Sequence, residues 1–227
     1  MEFNYNDLID NPTTRVPVCI CLDTSHSMGG APIRELNAGL QAFYDAIKQD
    51  EIAQFSADVS IITFGSRGEK QVNVIRDFST LVNDTNAPTL TANGCTPMGE
   101  AVNLALDMLE KRKNMYKDNG IDYYQPWIVL MTDGEPYGDS DPSAVGRAQS
   151  RASNMVNNGK LVVFPIGIGD GANMDVLAKF SPKRRPVKIK GLEFSKFFMW
   201  LSSSVSKTSQ SNGERVQLDA INSWAEL

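Results

Sequence analysis

The sequence predicts an α/β fold: a mainly parallel sheet of six strands with one antiparallel edge strand and helices on both faces. Three observations predict it. Short apolar runs alternate with longer segments of helical period along most of the 227 residues. Alternation of this kind places helices on both faces of a parallel sheet. A single short connection, around Gly65-Ser66-Arg67-Gly68, is too brief for a parallel crossover, so one strand must return antiparallel at an edge.

The elements follow in order. Val16 to Leu22 reads as a strand buried on both faces, with Cys19 and Cys21 on one side as small core residues. Pro32 to Lys48 reads as a helix, with Ile33, Leu36, Leu40, Phe43 and Ile47 on one stripe and proline in its first turn. Asp58 to Phe64 is the second strand and Gln71 to Phe78 its antiparallel partner. Ser79 to Pro97 has no period. Met98 to Lys113 is a helix, Pro126 to Thr132 a strand, and Ser143 to Asn158 a helix stopped by Gly159. Lys160 to Gly167 is a strand, Asn173 to Phe180 a short helix, Val187 to Ile189 a short strand and Phe194 to Val205 the last long helix.

Composition narrows the function. Twenty-two Lys and Arg against 27 Asp and Glu give a net charge of −5, which argues against general nucleic-acid binding and against adsorption to anionic membranes. The densest apolar run, Trp127 to Met131, is far short of the roughly 18 residues that span a bilayer. Arg15 is the first basic residue, a pattern unlike a secretory leader. Three cysteines without metal-ligand spacing point to reduced thiols and a cytoplasmic location.

Ligands of open α/β sheets bind beyond the carboxyl ends of the strands. Asp23-Thr24-Ser25-His26-Ser27 follows the first strand and Asp133-Gly134-Glu135 follows the fourth, so both loops belong to that edge. The helix from Met98 must descend before the fourth strand ascends. Ser79 to Pro97 therefore climbs the sheet and delivers Gly94-Cys95-Thr96-Pro97 to the same edge. The assembled set is Asp23, Ser25, Ser27, Thr96 and Asp133. Two carboxylates neutralise a divalent ion, and hard oxygen donors suit Mg²⁺, with Mn²⁺ or Ca²⁺ as alternatives. One coordination position stays open for an outside group.

With these residues in place, the sequence resembles the von Willebrand factor type A (VWA) domains, a Rossmann-like family. The pattern Asp-x-Ser-x-Ser stands at Asp23, Ser25 and Ser27, the separate threonine at Thr96, and the later aspartate, in a Thr-Asp-Gly context, at Asp133. The resemblance implies that these five form a metal-ion-dependent adhesion site. It spans residues 15–207, leaving 1–14 as an N-terminal extension and 208–227 as a C-terminal tail. The overall run of sequence is most similar to bacterial cytosolic TerY-like members associated with tellurium resistance. That resemblance implies a scaffold or regulator, not an enzyme. It binds a protein through the partner's Asp or Glu, and an associated protein kinase or PP2C-type phosphatase is a candidate partner. His26 departs from the small residue, often glycine, that many relatives carry there.

Competing readings belong to enzymes. His26 lies between two serines, but there is no Gly-x-Ser-x-Gly elbow. Gly167 to Ala172 matches the dinucleotide pattern G-x-G-x-x-A, with Glu193 further on, yet Asp170 would face the pyrophosphate. A dehalogenase-type phosphatase would want an aspartate where Ser25 stands. The basic run Lys183, Arg184, Arg185, Lys188 and Lys190 falls at the edge opposite the metal, as a solvated loop or an anion or partner patch. In the tail, Leu218, Ile221, Trp224 and Leu227 recur at helical spacing after a polar linker, as either a frayed terminus or a short amphipathic helix that docks.

Overall fold

The computed structural model describes residues 11–65, 71–82, 86–221 and 224–226. The strands are β1 (Val16–Asp23), β2 (Ala57–Phe64), β3 (Val72–Thr80), β4 (Trp127–Thr132), β5 (Val162–Ile168), β6 (Val187–Ile189) and β7 (Ala225–Glu226). The helices are α1 (Ala31–Gln49), α2 (Ala53–Ser56), α3 (Met98–Asp118), α4 (Ala144–Asn157), α5 (Met174–Ala178) and α6 (Phe194–Ser209), with a 3-10 turn at His26–Met28. The strands form one sheet in the order β3-β2-β1-β4-β5-β6-β7. From β2 to β6 every pairing is parallel.

β3 returns antiparallel to β2, as the short connection requires. The expected count of six strands is corrected to seven. β7 pairs antiparallel with β6 and makes a second antiparallel edge. A two-residue strand has no period to read, so sequence pattern could not find it.

Alternation along the central strands sends side chains to two cores. Val16, Val18, Ile20 and Leu22 of β1 join Leu36, Leu40 and Phe43 of α1 and Phe194, Phe197, Phe198 and Leu201 of α6. Cys19 and Cys21 face the other way, into Ala101, Val102, Ala105 and Leu109 of α3 and Ala148 and Ala152 of α4. Burying each large aliphatic or aromatic side chain contributes about 1.5–3 kcal/mol. A sheet covered on both faces therefore leaves only its rims free for function.

A buried polar strut interrupts the second core. Asp58 on β2 receives the Arg112 guanidinium at 2.7 Å and the Tyr116 hydroxyl at 2.5 Å, both from the far half of α3. The climbing segment is held by Asn37 of α1, whose side-chain amide exchanges two hydrogen bonds with the Leu90 backbone, at 2.9 and 2.7 Å.

The tail docks, though not as a helix. Trp224 is 1% exposed and packs edge-on against Phe197, ring centroids 5.0 Å apart, and against Trp200 at 5.3 Å. Lys207 pairs with Asp219 at 2.5 Å, and the Trp200 indole N–H donates to the Asp219 carbonyl. Residues 214–220 have no regular structure, and Leu227 lies outside the described residues. Helical spacing of four apolar residues here reflects separate anchor points on α6 and β6.

Candidate metal centre

β1 and β4 are adjacent and parallel, with Leu22 opposite Met131, so Asp23 and Asp133 leave the sheet side by side. Asp23 is fully buried. Its Oδ1 accepts the Ser25 backbone N–H at 2.8 Å and its Oδ2 accepts the Thr132 hydroxyl at 2.6 Å. The Ser25 and Ser27 hydroxyls stand 3.1 Å apart, and the Ser27 hydroxyl donates to Asp133 Oδ1 at 2.9 Å. Asp23, Ser25, Ser27 and Asp133 thus form one hydrogen-bonded chain across two loops.

The fifth residue joins through its backbone. The His26 N–H donates to the Gly94 carbonyl at 3.1 Å, bringing the end of the climbing segment against the Asp23 loop. Two residues on, Thr96 and Tyr137 exchange backbone hydrogen bonds at 2.8 and 2.9 Å. Thr96, 8% exposed, is therefore clamped between the loop after β1 and the loop after β4.

Neighbours that sequence reading passed over hold this geometry. The Thr24 hydroxyl donates to the Gly65 carbonyl at 2.9 Å, and the Thr24 carbonyl accepts from Asn93 N–H at 2.7 Å. Gly65 has φ +123°, and a Cβ there would meet the Ser25 nitrogen at 2.4 Å. A Cβ on Gly171 would meet the Asp133 carbonyl oxygen at 2.7 Å. The glycine-rich turn after β5 thus backs the Asp133 loop, while Asp170 pairs with Lys188. The signal for Thr132 was its place in Thr-Asp-Gly at a strand end. For Thr24 and Gly65 the signal was only loop position.

The acidic residues after Asp133 have structural partners. Asp139 accepts from the backbone N–H groups of Glu100 at 2.7 Å and Gly99 at 3.3 Å, capping α3. Asp141 pairs with Arg147 at 2.7 Å and accepts from Ser143 N–H. Glu135 accepts from the Asn173 side chain at 2.7 Å. His26 is exposed on the 3-10 turn, and Tyr137 is 72% exposed at the rim.

Burial pushes the Asp23 carboxyl up to about 6, against the opposing pull of hydrogen bonds from Ser25 and Thr132. Burial also raises Asp133, with the Ser27 bond pulling down. Among the described residues no cationic side chain contributes at either carboxyl. Two desolvated carboxyls without a counter-charge, bridged by serine hydroxyls, are a donor set that fits a hard divalent cation. Asp23, Ser25, Ser27, Asp133 and Thr96 would hold it.

An open, mainly parallel sheet with an oxygen-donor cluster at its carboxyl edge defines a Rossmann-like domain. The chain belongs to the von Willebrand factor type A domain family, whose sequence model matches residues 18–196. It is 26% identical over 173 residues to an uncharacterised protein of Synechocystis sp., across 74% of this chain and 36% of that protein. A von Willebrand factor type A structure from Catenulispora acidiphila superposes with TM-score 0.62 at 18% identity, over 88% of this chain and 43% of that one. The pilus adhesin SpaC from Lactobacillus rhamnosus GG, in an open conformation, gives 0.63 at 15% identity, over 86% and 30%. The chain spans less than half the length of each of these three. Among the described residues no helix is long and apolar enough to cross a membrane.

Proposed function

We propose that this chain is a metal-dependent protein-binding module. Mg²⁺, with Mn²⁺ or Ca²⁺ as alternatives, sits among Asp23, Ser25, Ser27, Thr96 and Asp133, and a partner's Asp or Glu completes its coordination. One observation carries the reading. Asp23 and Asp133 leave adjacent parallel strands as desolvated carboxyls with no cationic partner among the described residues, joined through the Ser25 and Ser27 hydroxyls. Such an arrangement costs folding free energy, so a cation is its natural complement.

The site supplies charge and position, and no group in it acts as a catalyst. Asp23 and Asp133 balance the ion's charge, while neutral hydroxyls leave it electrophilic toward an incoming carboxylate. The Thr96–Tyr137 backbone pair links the partner-facing loop to the Asp133 loop. The VWA family often mediates protein interaction or adhesion, in keeping with this reading. The TerY-like resemblance extends it to a cytoplasmic scaffold or regulator linked to tellurium or stress resistance, with a protein kinase or PP2C-type phosphatase as partner.

Affinity capture from the native host, with Mg²⁺ or with chelator, tests the proposal. Partner binding should need the cation, should drop in Thr96→Ala more than metal binding does, and should be lost in Asp23→Ala. Capture that persists in excess chelator refutes the open-site contact. Turnover of ATP, NAD or generic esters would favour the enzyme class instead.

A further inference from the structure

At the rim opposite the metal centre, two depressions of about 580 and 290 Å³ share Phe164 and Arg184. They lie at the amino ends of β4 and β5, beside the end of α6 and the tail. Their floor is apolar, with Phe164, Trp200 and Ile221; their rim carries Lys183, Arg184, Arg185 and Arg215. Among the described residues Glu214 is the one acidic residue lining either depression. Four cations against one acid, on a chain of net charge −5, is a local reversal of sign.

Arg184 is the centre of this surface. Its guanidinium lies over the Phe164 ring, 4.8 Å from the centroid, a stacking contact that holds the fork against the ring. No carboxylate pairs with it among the described residues, and burial alone lowers its pKa. A guanidinium that is stacked, partly desolvated and without a counter-ion is prepared to bind an anion bidentately.

We propose that this groove binds an acidic, extended peptide segment of a partner protein. Arg184 grips a carboxylate, Arg185 and Arg215 flank it, and an apolar side chain of the segment lies beside Ile221. Charge complementarity selects the occupant. A small inorganic anion would leave most of the 580 Å³ depression unfilled. A nucleic acid needs a broad basic surface, and the chain as a whole is acidic. The site is separate from the metal centre and stands whether or not that centre binds a cation.

The test uses the full chain and a fluorescein-labelled peptide that alternates Glu or Asp with Leu and Phe, read by anisotropy. The controls are the same peptide with Gln and Asn for its acids, inorganic pyrophosphate, and vesicles containing phosphatidylserine. The acidic peptide should bind, weaken as salt is raised, and be indifferent to chelator and to Asp23→Ala. Arg184→Ala should weaken it at least about tenfold. Arg215→Ala should weaken it less, and it tests the groove without disturbing the Phe164 stack should Arg184→Ala fold poorly. Equal binding of the neutral peptide, or unchanged binding in both arginine variants, overturns the proposal. So does a site filled by pyrophosphate or vesicles with no preference for the peptide. Loss of binding in chelator would transfer the contact to the metal centre and overturns it as well.

Discussion

Replacing Asp23 by asparagine separates the cost of the proposed metal centre from its use. The Asp23 carboxyl is fully buried and titrates at about 6, up from 3.8, chiefly through burial. A raised carboxyl pKa means that the folded state binds the proton more tightly than the unfolded chain. The stability it contributes is complete below about pH 4 and is lost as pH rises through about 6. A shift of roughly two units corresponds to about 3 kcal/mol that the apo protein forgoes at neutral pH. Asparagine carries no charge and still accepts from Ser25 N–H. Its amide faces the Thr132 hydroxyl, which must turn away from its present acceptor, returning about 1 kcal/mol.

In chelator at about pH 8, Asp23→Asn should therefore be more stable than wild type by ~2 kcal/mol, or roughly 4–8 °C in Tm for a chain of this size. At about pH 4 the advantage should vanish or reverse, because the wild-type carboxyl is then protonated. Saturating Mg²⁺ should raise the wild-type Tm by mass action and leave the variant almost unmoved. Calorimetric scans at the two pH values, with chelator and with Mg²⁺, provide the assay. An asparagine variant that is less stable than wild type in chelator at the higher pH refutes the burial argument. Equal Mg²⁺ stabilisation of both proteins refutes the ligand assignment.

Other perturbations test the scaffold. Arg112→Ala leaves Asp58 charged and buried on β2, so it should cost about 3–5 kcal/mol by denaturant titration, with Mg²⁺ binding retained by the folded fraction. Gly65→Ala forces a Cβ to within 2.4 Å of the Ser25 nitrogen at φ +123°. It should weaken Mg²⁺ binding measured by calorimetry while costing about 1–3 kcal/mol of stability. Trp224→Ala removes a ring buried against Phe197 and Trp200 and should destabilise by up to about 3–5 kcal/mol. An unchanged melting temperature would mean that the tail does not hold α6.

Most of the central sheet could be read from the sequence, because each element there repeats a period. β1, β2, β4 and β5 are apolar on both faces, and α1 and α6 carry stripes that meet them. Chain direction then brought Asp23, Thr96 and Asp133 to one edge without any knowledge of contacts. What escaped has no period. β7 is two residues long, and α2 is a single turn. In sequence, Glu135, Asp139 and Asp141 after Asp133 read either as solvated turn residues or as groups that tune the field around the metal. Asp139 instead accepts from the Gly99 and Glu100 N–H groups at the start of α3, and Asp141 accepts from the Ser143 N–H just before α4. Local composition does not distinguish a solvated acid from a capping one when the helix it caps lies forty residues away.

The same limit explains why the two rims read so differently. The proposed metal centre draws on one short run, Asp23 to Ser27, and on Thr96 and Asp133, which chain direction brings to the same edge. The basic groove draws on Phe164, Arg184, Trp200 and Arg215, which the sequence places in a strand, a basic run, the last helix off its apolar stripe, and the tail. Only packing turns these into a floor and a rim. Arg184 lies over Phe164 near the amino end of β5, where the same ring also packs against Trp127 of β4 and Trp200 of α6. A parallel sheet wrapped on both faces leaves its carboxyl rim to loops that carry ligands. Its amino rim goes to whatever the crossovers leave uncovered, and in this chain that remainder is aromatic below and cationic above.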